Sequence, residues 1–253
     1  APAHAPDLTD PETARAWLRT EHANLDAAYT HAHSHHLDRH TIALSASMAA
    51  ILFSDGPWTR ALQIHQGAET AAHQNHPAAH AAALTDLGRV RCMAGDYPGA
   101  QDAQTRALGV FRQIGNRLGE ASALTELGRV RATTGDYSGA QDALTPALEI
   151  LQQIGDRSSE ASVLNFYAGT IAALGDRLRA VTLYQQALAM NRELHKPDDE
   201  AISLEGIADH HLATGDLAQS LAYLNQALHI YRRLGMRPAI ERVQAQLSDL
   251  DAH

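Results

Sequence analysis

Residues 81–120 read AAALTDLGRVRCMAGDYPGAQDAQTRALGVFRQIGNRLGE, and residues 121–160 read ASALTELGRVRATTGDYSGAQDALTPALEILQQIGDRSSE. The two stretches agree at 25 of 40 positions without a gap. Two looser copies begin at Ala161 and Ala201. A fixed period of this size is typical of stacked helical hairpins, in which each unit buries its apolar face against its neighbours. The repeat therefore predicts a recognition surface rather than an enclosed catalytic site.

Each copy carries a turn signal between two stretches of helical spacing. The dipeptide Gly-Asp recurs at 95–96, 135–136, 175–176 and 215–216. Glycine suits the left-handed residue that ends a helix, and aspartate caps the first turn of the next one. Apolar residues recur at helical spacing on both sides of the turn, and no stretch alternates with a period of two. These patterns predict an all-α, right-handed superhelical solenoid of helical hairpins.

The same signals divide the whole chain into elements. We expect five hairpins, which begin near residues 41, 81, 121, 161 and 201. A leading helix over residues 10–36 precedes them, with Asp10 as its cap and Pro11 at its first helical position. A capping helix over residues 238–251 follows them. Residues 1–9 are predicted to be a linker, and residues 10–253 to be one repeat domain.

Composition limits the class of partner. Hydrophobic residues make up 45% of the chain and aromatic residues only 5%, so the core must consist largely of Ala and Leu. The formal net charge of −9 argues against binding of phosphate backbones, and we expect no direct contact with nucleic acid. No apolar run is long enough to cross a bilayer, so no membrane contact is expected. The single cysteine, Cys92, excludes an internal disulfide and favours a reducing, cytoplasmic compartment.

Specific residues within the copies resemble the tetratricopeptide repeat. The second and third units hold its Leu-Gly pair and its two later alanines, at Leu87-Gly88, Ala100, Ala107, Leu127-Gly128, Ala140 and Ala147. The fourth and fifth units depart from this pattern, with Tyr167-Ala168 and Ile207-Ala208 in place of Leu-Gly. The resemblance implies that the first helices of the hairpins line a concave groove that binds a protein or peptide.

A second resemblance is to AfsR-type regulators, which are bacterial signal-transducing NTPases with numerous domains (SARP/STAND proteins). In the leading helix it is carried by Ala16-Trp17-Leu18, Glu21, Asn24-Leu25 and Ala27-Ala28. In the repeats it is carried by the linker from Gly155-Asp156-Arg157 to Glu160-Ala161. It implies that this chain is the sensor or scaffold part of a transcriptional regulator, and that the regulator's own NTPase module is one of its partners. No phosphate-binding loop of the Gly-x-x-x-x-Gly-Lys-Ser/Thr type occurs in the chain.

The tetratricopeptide register also implies which residues face the groove. These are Thr85, Arg89, Thr125, Arg129, Asn165, Glu205 and Asp209. The two arginines would make one half of the groove basic and suit carboxylates, while Glu205 and Asp209 would make the other half acidic. A segment with an acidic and a basic end would fit this gradient. Alternatively, these charges pair with neighbours across hairpins and only keep the groove hydrated.

Nothing in the sequence indicates an enzyme, and no cofactor is expected in this segment. No hydrolase, zinc-protease, dithiol or dinucleotide motif occurs, and Cys92 has no histidine at a helical neighbour spacing. His31 and His35, like His36 and His40, have the spacing of a helical metal clamp, but no cysteine or carboxylate completes either set. We therefore expect no metal. The interpretation is a partner-binding module of a regulator, and the alternatives are a free-standing scaffold or a signalling-peptide sensor.

Overall fold

The computed structural model describes residues 10–54, 58–73 and 76–251, and this part of the chain contains helices and no strand. Twelve helices follow one another: α1 (Pro11–Ser34), α2 (Asp38–Ser54), α3 (Trp58–Ala72), α4 (Pro77–Met93), α5 (Tyr97–Gln113), α6 (Arg117–Thr133), α7 (Tyr137–Ile154), α8 (Arg157–Ala173), α9 (Arg177–Glu193), α10 (Pro197–Ala213), α11 (Leu217–Leu234) and α12 (Arg237–Asp251). The predicted all-α class is confirmed. The predicted linker, residues 1–9, lies outside the described residues.

The period of the sequence is also the period of the helices. The first helices of four hairpins begin at 40-residue steps, at Pro77, Arg117, Arg157 and Pro197. Their second helices do the same, at Tyr97, Tyr137, Arg177 and Leu217. The first helices begin four residues before the starts that we expected near 81, 121, 161 and 201. The reason is that the loops between hairpins are shorter than the sequence pattern suggested.

Capping interactions end and restart the helices at the predicted turns. The carboxylates of Asp96, Asp136, Asp176 and Asp216 each accept a hydrogen bond from a backbone N–H in the first turn of the next helix. Gly155 ends α7 in the left-handed region with φ of 72°. His195 takes the equivalent position after α9 with φ of 53°. A side chain makes this conformation cost roughly 1–2 kcal/mol, so the fourth hairpin ends less favourably than the third.

The chain forms two compact units, Ala1–Glu126 and Leu127–His253. Within each unit, helices that follow one another in the sequence pack side by side. A core of the first unit includes Tyr29, Met48 and Ile64, from α1, α2 and α3. In the second unit α8 also contacts α10, and a core there includes Leu204 and Tyr231.

Small residues let the two helices of a hairpin approach closely. A Cβ atom placed on Gly128 of α6 would lie only 2.6 Å from Cγ of Leu144, a buried side chain of α7. Gly88 of α4 stands in the same relation to Gln104 of α5. By contrast, a Cβ atom on Gly109 of α5 would meet nothing within 4 Å. The Leu-Gly pair of the repeat therefore marks a contact between helices that has no room for a larger side chain.

This contrast predicts opposite effects for one substitution at two glycines. Gly128→Ala should destabilise the protein by about 1–3 kcal/mol, because the added methyl group overpacks the contact with Leu144. Gly109→Ala should stabilise it by about 0.5–1 kcal/mol, because alanine restricts the unfolded chain and meets no neighbour. Urea unfolding followed by circular dichroism measures both. Changes of the same sign would contradict the packing described here.

Candidate partner-binding pocket

In the first unit, the predicted groove residues make contacts with their neighbours. Arg89 is exposed on α4, and its guanidinium carbon lies 4.6 Å from the centre of the Phe53 ring. Its Nε atom lies 3.5 Å from a carboxylate oxygen of Glu126. The hydroxyl groups of Thr85 and Thr125 each donate to the carbonyl four residues back in their own helix. The pairing of Arg89 follows the alternative interpretation, in which groove charges pair with neighbours.

In the second unit, two of the predicted groove residues, Asn165 and Glu205, are buried. Asn165 is 5% exposed because its side chain bridges α8 and α10. It donates to the carbonyl of Asp199 at 3.0 Å and accepts from Ser203 at 2.8 Å. Arg129, in contrast, is exposed, and its guanidinium carbon lies 5.1 Å from the centre of the Phe166 ring.

Glu205 is the second of these buried residues, at 8% exposed. The capping helix α12 covers it. Arg242 of α12 donates to both carboxylate oxygens of Glu205, at 2.7 and 3.1 Å. The hydroxyl group of Tyr231 also donates to this carboxylate. Burial raises the pKa of Tyr231, and the hydrogen bond to the negative Glu205 raises it further. Glu205 therefore holds α10, α11 and α12 together.

Asp209 lines a pocket in the second unit. The pocket has a volume of about 200 Å³ and is lined by residues of α8, α9 and α10. Small side chains at Ala172, Ala180 and Gly206 leave the space, and Arg177, Asp209 and His210 bring polar groups to it. Pockets for small molecules commonly measure roughly 300–1,000 Å³. This one is therefore matched to a single side chain of a partner rather than to a cofactor.

Tyr184 of α9 shapes this pocket because its side chain extends beyond its own hairpin, although its hydroxyl oxygen would still lie 3.1 Å from a Cβ atom on Gly169 of α8. At the same repeat position, the second and third units have Gln104 and Leu144, each of which faces a glycine of the preceding helix. The fourth unit has Ala168 at that place. The ring of Tyr184 lies instead against Gly206 of the next hairpin, where an added Cβ atom would be 2.3 Å from Cζ. The pocket therefore arises where the sequence departs from its own repeat.

A family model described as Tetratricopeptide repeat matches residues 79–153 and 159–233. The chain belongs to the tetratricopeptide repeat family. Together with the helices described above, this match confirms the predicted fold class. No curated protein matches this tetratricopeptide chain.

Three solved structures share its fold at low sequence identity. BtubC (BKLC) from P. vanneervenii has a TM-score of 0.72 and 19% identity, over 86% of this chain and 92% of that one. A Signal Transduction ATPase with Numerous Domains (STAND) protein with a tetratricopeptide repeat sensor, from Pyrococcus horikoshii, has a TM-score of 0.69 and 16% identity. That alignment covers 83% of this chain and 34% of the STAND protein. A Rap protein complexed with competence and sporulation factor has a TM-score of 0.63 and 12% identity, over 94% of this chain and 73% of that one.

Two residues of the tetratricopeptide pocket, Arg177 and Tyr184, were not among the predicted groove residues. Both lie on the second helix of a hairpin, whereas the groove prediction considered only first helices. A signal was nevertheless present in the sequence. Gly206 occupies a position where the earlier units have Asp86, Glu126 and Phe166. A glycine that replaces large side chains of a repeat indicates a place where another group comes close.

The electrostatics of the pocket favour a positively charged ligand group. Burial raises the pKa of Asp209, the nearby negative charge of Glu205 raises it further, and Arg242 opposes the shift. Burial, together with the charges of Asp209 and Glu205, raises the pKa of Tyr184 to about 12. The charge of Arg242 lowers the pKa of Asp209 less than burial and Glu205 raise it, so a further cation near this carboxylate would be favourable. A lysine or arginine side chain of a partner would supply one.

In the part of the tetratricopeptide chain that the structure describes, none of the helices is both long and apolar enough to cross a bilayer.

In the first unit, the contribution of Asp86 to the stability of the fold should depend on pH. Burial raises its pKa from 3.8 to about 6, although Arg89 opposes the shift, and Glu126 adds to it. Between pH 4 and pH 6 the unfolded chain releases this proton while the folded chain retains it, so stability falls as the pH rises. Asp86→Asn removes the effect. The variant should gain stability over the unaltered chain at pH 8, by at most about 3 kcal/mol, and little at pH 4.

Thermal unfolding of both proteins at the two pH values measures this difference. Asp102→Asn serves as the control for the loss of one negative charge, since the Asp102 side chain is 61% exposed. A gain from Asp86→Asn that is equal at pH 4 and pH 8 would show that the raised pKa does not govern the stability.

Proposed function

We propose that this chain is the partner-binding sensor or scaffold of a bacterial signal-transducing NTPase that regulates transcription. It recognises a segment of a protein or peptide at the pocket lined by α8, α9 and α10. The observation that carries the proposal is the presence of Asp209, with its raised pKa, in an open pocket of about 200 Å³. A pocket of this size and charge suits one side chain of a larger partner.

The chemistry of the pocket defines the segment that it would bind. The small apolar side chains of Ala172, Ala180 and Val181 favour an aliphatic group. Asp209 favours a lysine or arginine next to that group. Arg177, at the start of α9, has the donor geometry for a carbonyl or carboxylate of the same segment. The expected ligand is thus a short segment with a basic residue beside an aliphatic one.

Support for the regulator comes from the resemblance of the leading helix and linkers to AfsR-type proteins. The structural likeness to a STAND protein with a tetratricopeptide repeat sensor is consistent with it. The mechanism would be a population shift. The repeats hold the NTPase module in one state until a partner binds preferentially to the other state. The proposal places the chain in the cytoplasm and includes no catalytic step, no cofactor and no direct contact with nucleic acid.

A signalling-peptide sensor is the second candidate. It is favoured by the likeness to a Rap protein that is complexed with competence and sporulation factor. In this case the pocket would bind a diffusible peptide without control of an attached NTPase. A free-standing scaffold would instead join two folded proteins.

Selection of peptides from a random displayed library tests the binding site. Peptides with a basic residue beside an aliphatic residue should be enriched, and their affinity should fall by about tenfold or more in Asp209→Asn, since a charge-assisted hydrogen bond is worth about 1.5–3 kcal/mol. Asp198→Asn is the matched control, because Asp198 is an exposed residue of the same helix. Equal affinity of both variants for the selected peptides would contradict the site.

A second measurement separates the regulator from the two alternatives. ATP hydrolysis by the NTPase module of the same polypeptide should change when the selected peptide binds to the repeats. A gene that joins no NTPase to this chain would rule out the regulator and leave the peptide sensor and the scaffold.

A further inference from the structure

Three potential metal ligands meet where α3 is followed by α4 in the first unit. Glu69 lies in the last turns of α3, His73 follows its end, and His80 lies in the first turns of α4. The Nε2 atom of His80 lies 3.0 Å from Oε1 of Glu69 and 3.3 Å from Nδ1 of His73. All three donor atoms lie within 4.8 Å of one another. The side chain of His80 is only 8% exposed, so the cluster is partly sheltered from water.

These distances suit a shared ion. Zinc binds histidine nitrogen and carboxylate oxygen at about 2.0–2.2 Å, which puts neighbouring ligand atoms of a tetrahedral site roughly 3.3 Å apart. The two distances from Nε2 of His80, 3.3 and 3.0 Å, are close to this value. Two histidines and one glutamate would leave a fourth position for water, as in other zinc sites of this composition.

The hydrogen-bonding capacity of the two histidine rings is also compatible with a bound ion. Nε2 of His80 faces both an acceptor, the Glu69 carboxylate, and a second ring nitrogen, Nδ1 of His73. A neutral imidazole nitrogen either donates or accepts, so Nε2 cannot donate to Glu69 and also accept from His73. When both ring nitrogens are unprotonated, they and the Glu69 carboxylate direct lone pairs to one region, and a cation would satisfy all three together.

Arg106 of α5 is the group that competes with an ion for Glu69. Its Nη2 atom donates to Oε1 of Glu69 at 2.6 Å. The Arg106 side chain is 44% exposed, and its Nη1 atom already lies 3.7 Å from a carboxylate oxygen of Asp102. Arg106 can therefore turn to Asp102 when a cation binds.

We propose that Glu69, His73 and His80 bind one divalent zinc ion, which ties the end of α3 to the start of α4. The site differs from the histidine cluster near the end of α1, where the sequence shows a suitable spacing but no completing ligand. There, Nδ1 of His35 lies 2.9 Å from the carbonyl of His31, and this contact occupies one of its two ring nitrogens. In the part of the chain that the structure describes, the group formed by Glu69, His73 and His80 is the one that brings three potential metal ligands together.

Titration of the chelator-treated full chain with Zn²⁺, followed by calorimetry, tests the site. We expect saturable binding of one ion per chain and a higher unfolding temperature in its presence. His73→Ala and Glu69→Gln should each weaken binding by at least about a hundredfold, since loss of outer partners alone costs 10–100-fold. His73 is exposed, so its substitution should leave the fold intact, which circular dichroism verifies. Co²⁺ bound to the unaltered chain should show the intense visible absorption of a tetrahedral site, and His73→Ala should abolish it.

The double variant His31→Ala/His35→Ala is the matched control, because it removes two exposed histidines of a chain that has 16. It should bind Zn²⁺ as the unaltered chain does. The proposal is overturned if no saturable binding occurs, if the control variant loses it, or if folded His73→Ala retains it.

Discussion

The contact between the two helices of each hairpin is the constraint on which the rest of the structure depends. One side of the contact is a small residue of the first helix, and the other is a larger side chain of the second. Gly128 and Leu144 show how little space there is, since a Cβ atom at Gly128 would be 2.6 Å from Cγ of Leu144. Because the sequence repeats every 40 residues, the helices α4 to α11, each of 17 or 18 residues, begin at equal steps along the chain.

The pocket follows from a local exception to this contact. The fourth unit has Ala168 and Tyr184 where the third has Gly128 and Leu144. A tyrosine needs more room than a leucine, and its ring finds this room against Gly206 of the following hairpin. The same exception brings the ring close to Asp209, whose charge contributes to the raised pKa of Tyr184. A change in packing thus brings an aromatic ring and a carboxylate close together in this part of the second unit.

The sequence predicted the helices and turns well because each rests on local signals, namely the Gly-Asp turns and the apolar spacing. It did not predict which groove-facing residues other helices would cover. Asn165 and Glu205 occupy positions that face the groove in the repeat register. Their side chains are nevertheless buried, because they form hydrogen bonds with α10 and α12. The cluster of Glu69, His73 and His80 spans two helices and the loop between them, so no spacing within one helix could reveal it. Local sequence patterns do not show which side chains are buried by segments that lie far away in the sequence.

The crystal structure of the Gly206→Ala variant tests most directly whether these close contacts position the pocket. A Cβ atom essentially never lies closer than 3.0 Å to a non-bonded heavy atom of another part of the chain. The added Cβ atom would start 2.3 Å from Cζ of Tyr184. The tyrosine ring should move by at least about 0.7 Å, and the shape of the pocket should change with it. An unmoved ring and an unchanged pocket would show that something other than the glycine contact determines the site.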